Sequence, residues 1–430
     1  MVAVNFFMIL PKRDKFLIWA FFITLPATGV DLGGIALLKL WILVGALILL
    51  SMLVTTVVSG KLKTFKMDYG ILSIALFIFL CLFSIIFLYN EKSINYFLAY
   101  VTVLFVSIFL IRAFLNSPER IRCALDANSV AVLLISIYVI IDFILISSGI
   151  SSPSIMLGIL DRGTATSNFL GMRVFRAYGL SDEPNVLAYF FSTLGLLGLW
   201  WRIRKGKNFY FYIIFFCIAL VLTFAATIAF AFIASMLTCM IIVGIPIVLR
   251  KMNSLKVKKK KVRPLLLSIF SLMLLFYIFS ESTVYRKLSN PSTSRSGVDR
   301  IDRMMVGIEN AQTSGLFGNG LGWTTLESGF NGSYLNWYLT LISDVGWIGL
   351  LLILFYLIHS VVVVFKNYTS FGLLPLFAAL SGVYYLALFA SFYEPFIFIF
   401  FSLLVSFSRN KNSSYSAPTI RSKIPSSRDL

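Results

Sequence analysis

The sequence predicts an all-α, polytopic integral membrane protein. Hydrophobic residues make up 59% of the chain and charged residues only 13%, a composition that would leave a water-soluble fold covered in exposed apolar surface. Apolar runs of roughly 20 residues recur along the chain, and that length spans the hydrocarbon core of a bilayer as a helix. A helix also satisfies its own backbone polar groups in lipid, so helices are the expected spanning elements.

Twelve of these runs are predicted membrane spans. They lie near residues 16–30, 35–58, 70–89, 95–111, 128–149, 184–201, 208–224, 228–249, 264–280, 345–365, 370–390 and 394–408. The apolar stretch 208–249 is too long for one tilted helix, so we predict a break in it between Phe224 and Thr227. The spans form a single transmembrane domain over residues 1–408. The basic tail, 409–430, is rich in Ser and Pro, which predicts disorder in the cytoplasm.

The distribution of basic residues predicts the orientation of the chain. With both termini in the cytoplasm, most of the 37 Lys and Arg residues fall in cytoplasmic loops, as the positive-inside rule requires. Contacts with anionic membrane lipids therefore explain the net charge of +19, and no nucleic-acid partner is expected. The four cysteines lack the spacing of a disulfide framework or a metal site. Neither a metal nor a cofactor is expected.

Two predicted external loops, residues 150–183 and 281–344, are much longer than turns between helices need to be. Both hold basic residues against the topological bias: Arg162, Arg173, Arg176, Arg286, Lys287, Arg295, Arg300 and Arg303. A guanidinium is permanently charged, and its planar fork of donors suits the oxygens of a phosphate. The loops therefore predict a site for the phosphate or pyrophosphate head group of a lipid. The alternative is that these arginines pair with acidic residues on a solvated loop surface.

The second loop contains a predicted amphipathic helix near residues 299–309. Its apolar residues, Met304 and Ile308 among them, recur at helical intervals. Arg300 and Arg303 are three residues apart and share one face, which suits a helix that lies on the outer leaflet. The glycine-rich stretch 314–322 follows and does not match a nucleotide-binding loop. Its glycines predict a tight backbone path or a close approach to a ligand.

Three stretches resemble the O-antigen polymerase and O-antigen ligase superfamily (the Wzy and WaaL types) of bacterial membrane glycosyltransferases. The first, 176–188, is similar to the family's pattern of Arg, Gly, Pro-Asn and Ala. The second, 296–320, resembles its Ser-Gly-Arg and Phe-Gly-x-Gly elements. The third, 331–349, reads Asn331-Gly-Ser-Tyr334-Leu and Gly346-Trp-Ile-Gly349 and resembles the family's closing His-Asn-x-Tyr-Leu and Gly-x-x-Gly elements, with two residues between Asn331 and Tyr334.

The resemblance implies a fold of the GT-C kind and a place in the bacterial inner membrane, with the active face towards the periplasm. It implies an oligosaccharide on undecaprenyl pyrophosphate as donor and as acceptor. Membrane lipids and a polysaccharide chain-length regulator are the further partners it suggests. It implies catalytic roles for Arg176, Arg300, Arg303 and Glu327. The implied substrate-binding residues are Arg162, Arg173, Glu183, Asn185, Arg295, Gly318, Gly320, Asn331, Tyr334 and Asn336.

The base that accepts the proton of the acceptor hydroxyl stays open at this point. A carboxylate near the lipid surface can have its pKa raised towards neutrality by desolvation. The candidates are Glu327, Asp344, Asp299, Glu183 and Glu394.

Two departures from the family bear on the function. The family's ligases carry a His just before the Asn-x-Tyr-Leu element, whereas Phe330 stands before Asn331 here, which favours a polymerase. Many relatives carry Ser-Arg where this chain reads 222–227 without arginine. Two other classes stay open: a flippase or other transporter, which would place ionisable residues at mid-membrane, and a structural or receptor-like protein.

Overall fold

The computed structural model describes ten stretches of the chain, and every structural statement below concerns them. They are residues 10–29, 39–59, 68–150, 166–169, 172–181, 183–206, 209–244, 295–327, 334–389 and 394–409.

Six helical stretches are long and apolar enough to cross a membrane. They are Leu40–Val58, Tyr69–Phe87, Ser93–Phe114, Pro118–Ser147, Pro184–Lys205 and Trp337–Lys366. Four shorter apolar helices accompany them: Phe209–Leu222, Thr227–Val243, Leu373–Leu386 and Phe396–Arg409. The protein is therefore a helical, membrane-embedded chain that crosses the bilayer several times. The prediction of twelve spans is not tested over its full length, since the run 264–280 lies outside the described residues.

The individual elements are numbered here in chain order. They are α1 (Lys12–Thr24), α2 (Leu40–Ser59), α3 (Tyr69–Phe87), α4 (Ser93–Leu104), α5 (Ile111–Phe114), α6 (Pro118–Ser147), β1 (Thr166–Phe169), β2 (Met172–Phe175), α7 (Pro184–Phe190), α8 (Leu196–Lys205), α9 (Phe209–Leu222), α10 (Ala226–Cys239), α11 (Arg295–Thr313), α12 (Trp323–Glu327), α13 (Trp337–Lys366), α14 (Tyr368–Phe371), α15 (Leu373–Leu386) and α16 (Phe396–Arg409). The π-helical segments Phe105–Leu110, Phe191–Gly195 and Met240–Gly244 follow α4, α7 and α10.

The break predicted between Phe224 and Thr227 is confirmed. Helix α9 ends at Leu222 and α10 begins at Ala226. Phe224 takes a positive φ of 44°, which a bulky side chain rarely adopts and which ends the helix there.

The all-α prediction is confirmed for the apolar spans. The first predicted external loop also contains one short antiparallel hairpin, where Thr166 pairs with Phe175 and Phe169 with Met172. One predicted boundary is wrong, because the helix that follows the second predicted loop begins at Trp337 rather than near residue 345. Gly346, with φ 79° and ψ −178°, divides this helix into a short part, 337–345, and a long part, about where the span was expected to start.

The two ends of the bundle differ in their polar contacts. One end, which we call the basic end, holds ion pairs between Asp14 and Arg120, between Asp126 and Lys205, and from Asp68 to both Arg112 and Arg409. Asp68 also accepts a hydrogen bond from Ile71 N–H (2.8 Å) and caps α3. The opposite end, the polar end, holds the loops after α3 and α9 and the beginnings of α7, α13 and α16.

Candidate functional site

Arg176 joins the first predicted external loop to the broken helix at the polar end. Its Nε–H donates a hydrogen bond to the carbonyl of Thr223 (3.0 Å), and its Nη2–H donates to Oδ1 of Asn185 (3.1 Å). The Thr223 carbonyl is available because the helix ends there and its last carbonyls have no partner within the helix. The structure thus brings together Arg176 and Asn185, two of the residues that the sequence predicts for the site.

The same break is tied down by further contacts. The N–H of Ala177 donates to the carbonyl of Leu222 (3.1 Å). The hydroxyl of Tyr385 donates to the carbonyl of Asn185 (2.7 Å) and accepts from the hydroxyl of Thr227 (2.9 Å). Helices α7, α10 and α15 therefore meet around one polar network beside Arg176.

A glycine-rich turn, residues 314–322, bonds the backbone groups that the break of α13 at Gly346 leaves without helical partners. On the N-terminal side of the break, the carbonyls of Ser343 and Asp344 accept hydrogen bonds from the N–H groups of Asn319 (2.9 Å) and Gly320 (3.0 Å). Above it, the N–H of Ile348 donates to the carbonyl of Leu316 (3.2 Å). A broken helix in a membrane protein is stable when neighbouring segments satisfy the backbone groups it frees, and this turn does so.

The glycines in this turn approach the protein's own backbone. A Cβ on Gly318 would lie 2.5 Å from the backbone nitrogen of Gly346, and one on Gly320 would collide with the carbonyl of Leu88. Both glycines also have positive φ, 74° and 110°. Of the two alternatives for these glycines, the tight backbone path is confirmed. Gly318 packs against α13 and Gly320 against the end of α3, and the substrate-binding role expected of both stays a prediction.

Asp344 is the centre of the contacts between this turn and α13. The residue is fully buried, and one carboxylate oxygen accepts from both the N–H (2.9 Å) and the hydroxyl (2.6 Å) of Thr324. The other oxygen accepts from the N–H of Gly322 (3.2 Å). Both oxygens accept hydrogen bonds from residues at the start of α12, which gives Asp344 a positioning role. Its role as a candidate base stays a prediction. Helix α12 ends at Glu327, the residue that the resemblance suggests as catalytic.

The predicted amphipathic helix is confirmed as α11, which carries Arg295, Arg300 and Arg303. Its C-terminal half is held by Tyr334, whose hydroxyl accepts a hydrogen bond from the side chain of Asn310 (2.7 Å). The ring of Tyr334 lies against Gly307, where a Cβ would come within 2.8 Å of it. Burial raises the pKa of the Tyr334 phenol. These contacts let Tyr334 position the arginine helix, and the substrate-binding role expected of it stays a prediction.

Other predicted site residues take the following places. Asn336 caps α13, accepting from the N–H of Leu339 (3.2 Å). Glu183 is exposed just before α7, and its side chain makes no capping bond to that helix. Arg303 is half-buried, and Arg173 lies in β2 opposite Asn168. The residues Arg162 and Asn331 lie outside the described part of the chain.

One feature of the polar end was missed by sequence reasoning. Lys39 and Glu394 form a buried ion pair, with Nζ 3.8 Å from Oε1. Beside it the rings of Tyr189 and Tyr385 stack with centroids 4.9 Å apart. The only sequence signal was that each charge stands at the end of an apolar run. Nothing in the sequence joined residues that are so far apart in the chain.

The described residues offer no group of three or more His, Cys, Asp or Glu side chains that could hold a metal ion. The polar side chains described at the polar end include Arg176, Lys39, the hydroxyls of Thr227 and Tyr385, and single carboxylates, and groups of this kind can bind an anion and sugar hydroxyls.

No family model matches this chain, and a comparison with curated proteins finds no match to it. The resemblance to the O-antigen polymerase and ligase superfamily therefore rests on the order and spacing of the three motifs.

Proposed function

We propose that this chain is a GT-C-like glycosyltransferase of the bacterial inner membrane that polymerises O-antigen or another surface polysaccharide. It transfers the growing glycan from undecaprenyl pyrophosphate to the non-reducing-end sugar of a new lipid-linked repeat unit. In this proposal the chain has about twelve spans, both termini are cytoplasmic, and the polar end faces the periplasm. No metal takes part.

The observation that carries the proposal is the meeting of Arg176 with Asn185 and the broken helix. Two residues of the motif 176–188, Arg176 and Asn185, bond each other there, and Arg176 also bonds the carbonyl of Thr223 at the helix break. The third and second motifs also meet, because Tyr334 packs on the helix that carries Arg300 and Arg303. Residues predicted from separate motifs thus fall into two contact sets at one end of the bundle.

The distribution of charge supports this orientation. Ion-paired arginines and lysines collect at the basic end, in the segments that the positive-inside rule assigns to the cytoplasm. The polar end would then meet the outer leaflet, where the lipid-linked substrate presents its head group.

The chemistry assigned to these residues is displacement at an anomeric carbon. The bond between that carbon and the pyrophosphate oxygen breaks, and its electron pair leaves with the undecaprenyl pyrophosphate. Fixed guanidinium groups, Arg300, Arg303 and Arg176, stabilise the negative charge that develops on the leaving group. The acceptor hydroxyl oxygen bonds to the anomeric carbon, and its proton passes to a carboxylate, Glu327 in this proposal.

Two runners-up are separated from this function by the products that accumulate. A ligase would hand finished polymer to lipid A core. A lipid-linked oligosaccharide flippase would move single units across the membrane, and the broken helices at Phe224 and Gly346 are features also found in transporters.

Deletion of the gene tests these functions against one another. Loss of a polymerase leaves single repeat units on the surface lipid. Loss of a ligase leaves none and lets lipid-linked polymer accumulate, and loss of a flippase strands single units on the cytoplasmic side. Complementation with Arg300→Ala should fail to restore long chains at an unchanged protein level, and normal chains in that strain would remove Arg300 from the mechanism.

A further inference from the structure

Helix α11 has three distinct faces over its described C-terminal part. Successive residues are separated by about 100° around a helix. The face through Gly307, Ala311 and Ser314 is buried inside the chain, and Gly307 lies against Tyr334. A strip through Asp302, Glu309 and Thr313 is polar and exposed. Between them lies a third, exposed strip that is mostly apolar and also includes the polar side chain of Gln312.

The apolar residues of this third strip are Met304, Met305 and Ile308, and Met305 is 54% exposed. It continues into the turn that follows α11, where Leu316 is 61% exposed and Phe317 is also exposed. We call these five residues the apolar ridge. Single exposed apolar residues are common on protein surfaces, but five on one helix side and the turn that follows it indicate a contact surface.

The identity of that partner follows from what adjoins the ridge. The ring of Phe317 packs on Phe83 with centroids 5.5 Å apart, and Phe83 packs on Phe87 at 4.4 Å. These two phenylalanines end a stripe of exposed apolar residues along the span α3, which includes Leu76 and Phe79. An exposed apolar stripe on a membrane span faces lipid, so the ridge continues a lipid-facing surface.

Trp347 marks the depth of the ridge. Its side chain is exposed at the start of the long part of α13. Its backbone N–H donates a hydrogen bond to the carbonyl of Gly315 (3.5 Å), a residue of the turn 314–322 that carries Leu316 and Phe317. Tryptophan side chains concentrate where a span meets the head-group region. The turn that carries Leu316 and Phe317 is therefore fixed at the boundary between the head groups and the acyl chains.

We propose that the apolar ridge is an interfacial membrane anchor that inserts into the leaflet at the polar end and binds its lipids. One face of α11 then lies on protein, one in lipid and one in water. The anchor would set the depth of α11 in the leaflet, and with it the depth of the arginine-bearing turns of this helix. The anchor does not depend on the transfer reaction, so it stands or falls separately from the proposed function.

Spin labelling of the full chain in nanodiscs that hold one copy tests this anchor. A label is attached at Met305→Cys or Leu316→Cys on the ridge, and at Asp302→Cys on the polar strip of the same helix as the matched control. The four native cysteines are replaced by alanine. We expect the ridge labels to collide mainly with oxygen, at a depth of about 5–10 Å below the phosphates. The control label should collide mainly with a water-soluble nickel chelate.

Three results would overturn the anchor. The first is nickel access at Met305 and Leu316 equal to that at Asp302. The second is protection of the ridge only in discs that hold two copies, which would assign it to a contact between chains. The third is protection only after undecaprenyl phosphate is added, which would assign it to a carrier-lipid tail.

A second measurement covers the case in which the cysteine-free chain does not fold. Hydrogen peroxide oxidises water-exposed methionine, and oxidation of Met304 and Met305 in the unmodified chain can be followed by mass spectrometry. Slow oxidation in nanodiscs relative to a peptide of residues 295–313 supports the anchor. Oxidation at the rate of the free peptide contradicts it.

Discussion

Replacement of Asp344 tests the positioning role that the structure gives it. In Asp344→Ala, the N–H groups of Gly322 and Thr324 lose their acceptor in a buried environment. A buried donor without a partner costs about 1–3 kcal/mol, so the two together should lower the free energy of unfolding by about 2–6 kcal/mol. In Asp344→Asn the amide oxygen can still accept from Thr324, so we expect a loss of about 1–3 kcal/mol.

The assay is a titration of the purified protein with SDS, followed by circular dichroism. Asp302→Asn, on the exposed polar strip of α11, is the matched control and should shift the free energy by no more than about 0.5 kcal/mol. Thr324→Val, alone and combined with Asp344→Asn, gives a double-mutant cycle for the hydroxyl contact. An Asp344→Ala protein as stable as the control would refute the positioning role. An unchanged free energy of unfolding in Asp344→Ala together with complete loss of glycan transfer would instead support Asp344 as the base.

Three further predictions concern the same end of the bundle. Arg176→Lys keeps the charge but cannot bond both the Thr223 carbonyl and the Asn185 amide. The rate of glycan transfer in vitro should therefore fall as it does in Arg176→Ala. A wild-type rate in the lysine variant would exclude a role for the guanidinium fork. In Gly318→Ala the new Cβ is strained by the positive φ and collides with the backbone of α13, whereas in Gly315→Ala only the positive φ causes strain. Thermal unfolding should therefore show that Gly318→Ala is less stable than Gly315→Ala by about 1–3 kcal/mol. Equal stability of the two variants would contradict close packing at Gly318. Tyr334→Phe removes the hydroxyl that accepts from the Asn310 amide but keeps the ring. It should lower the free energy of unfolding by about 0.5–1.5 kcal/mol and leave glycan transfer measurable. Abolished transfer in a folded protein would mean that the hydroxyl touches the substrate.

The sequence predicted those features that depend on local pattern. The break after Leu222 follows from the length of an apolar run, and α11 follows from the interval between Met304 and Ile308. Both depend on residues close together in the chain. The family-like motifs also predicted that Arg176 and Asn185 belong to one site, which their hydrogen bond supports.

Features that depend on distant partners could not be predicted in this way. Gly346 lies inside an apolar run, and its break is stable only because residues about 30 positions earlier bond the freed backbone groups. A carboxylate such as Asp344 resembles a base in sequence, and only the donors around it reveal that both its oxygens are engaged. The buried pair of Lys39 and Glu394 joins the two ends of the chain and leaves no local signal.

Binding of the carrier lipid tests the central claim most directly. Affinity for undecaprenyl pyrophosphate is measured in nanodiscs for the native chain, for Arg300→Ala, and for Arg13→Ala at the basic end, where the guanidinium is exposed. A charge-assisted hydrogen bond contributes about 1.5–3 kcal/mol, so removal of Arg300 should weaken binding by about tenfold or more. The Arg13 variant should bind as the native chain does. Equal affinity in all three proteins would contradict the claim that arginines of the polar end hold the pyrophosphate.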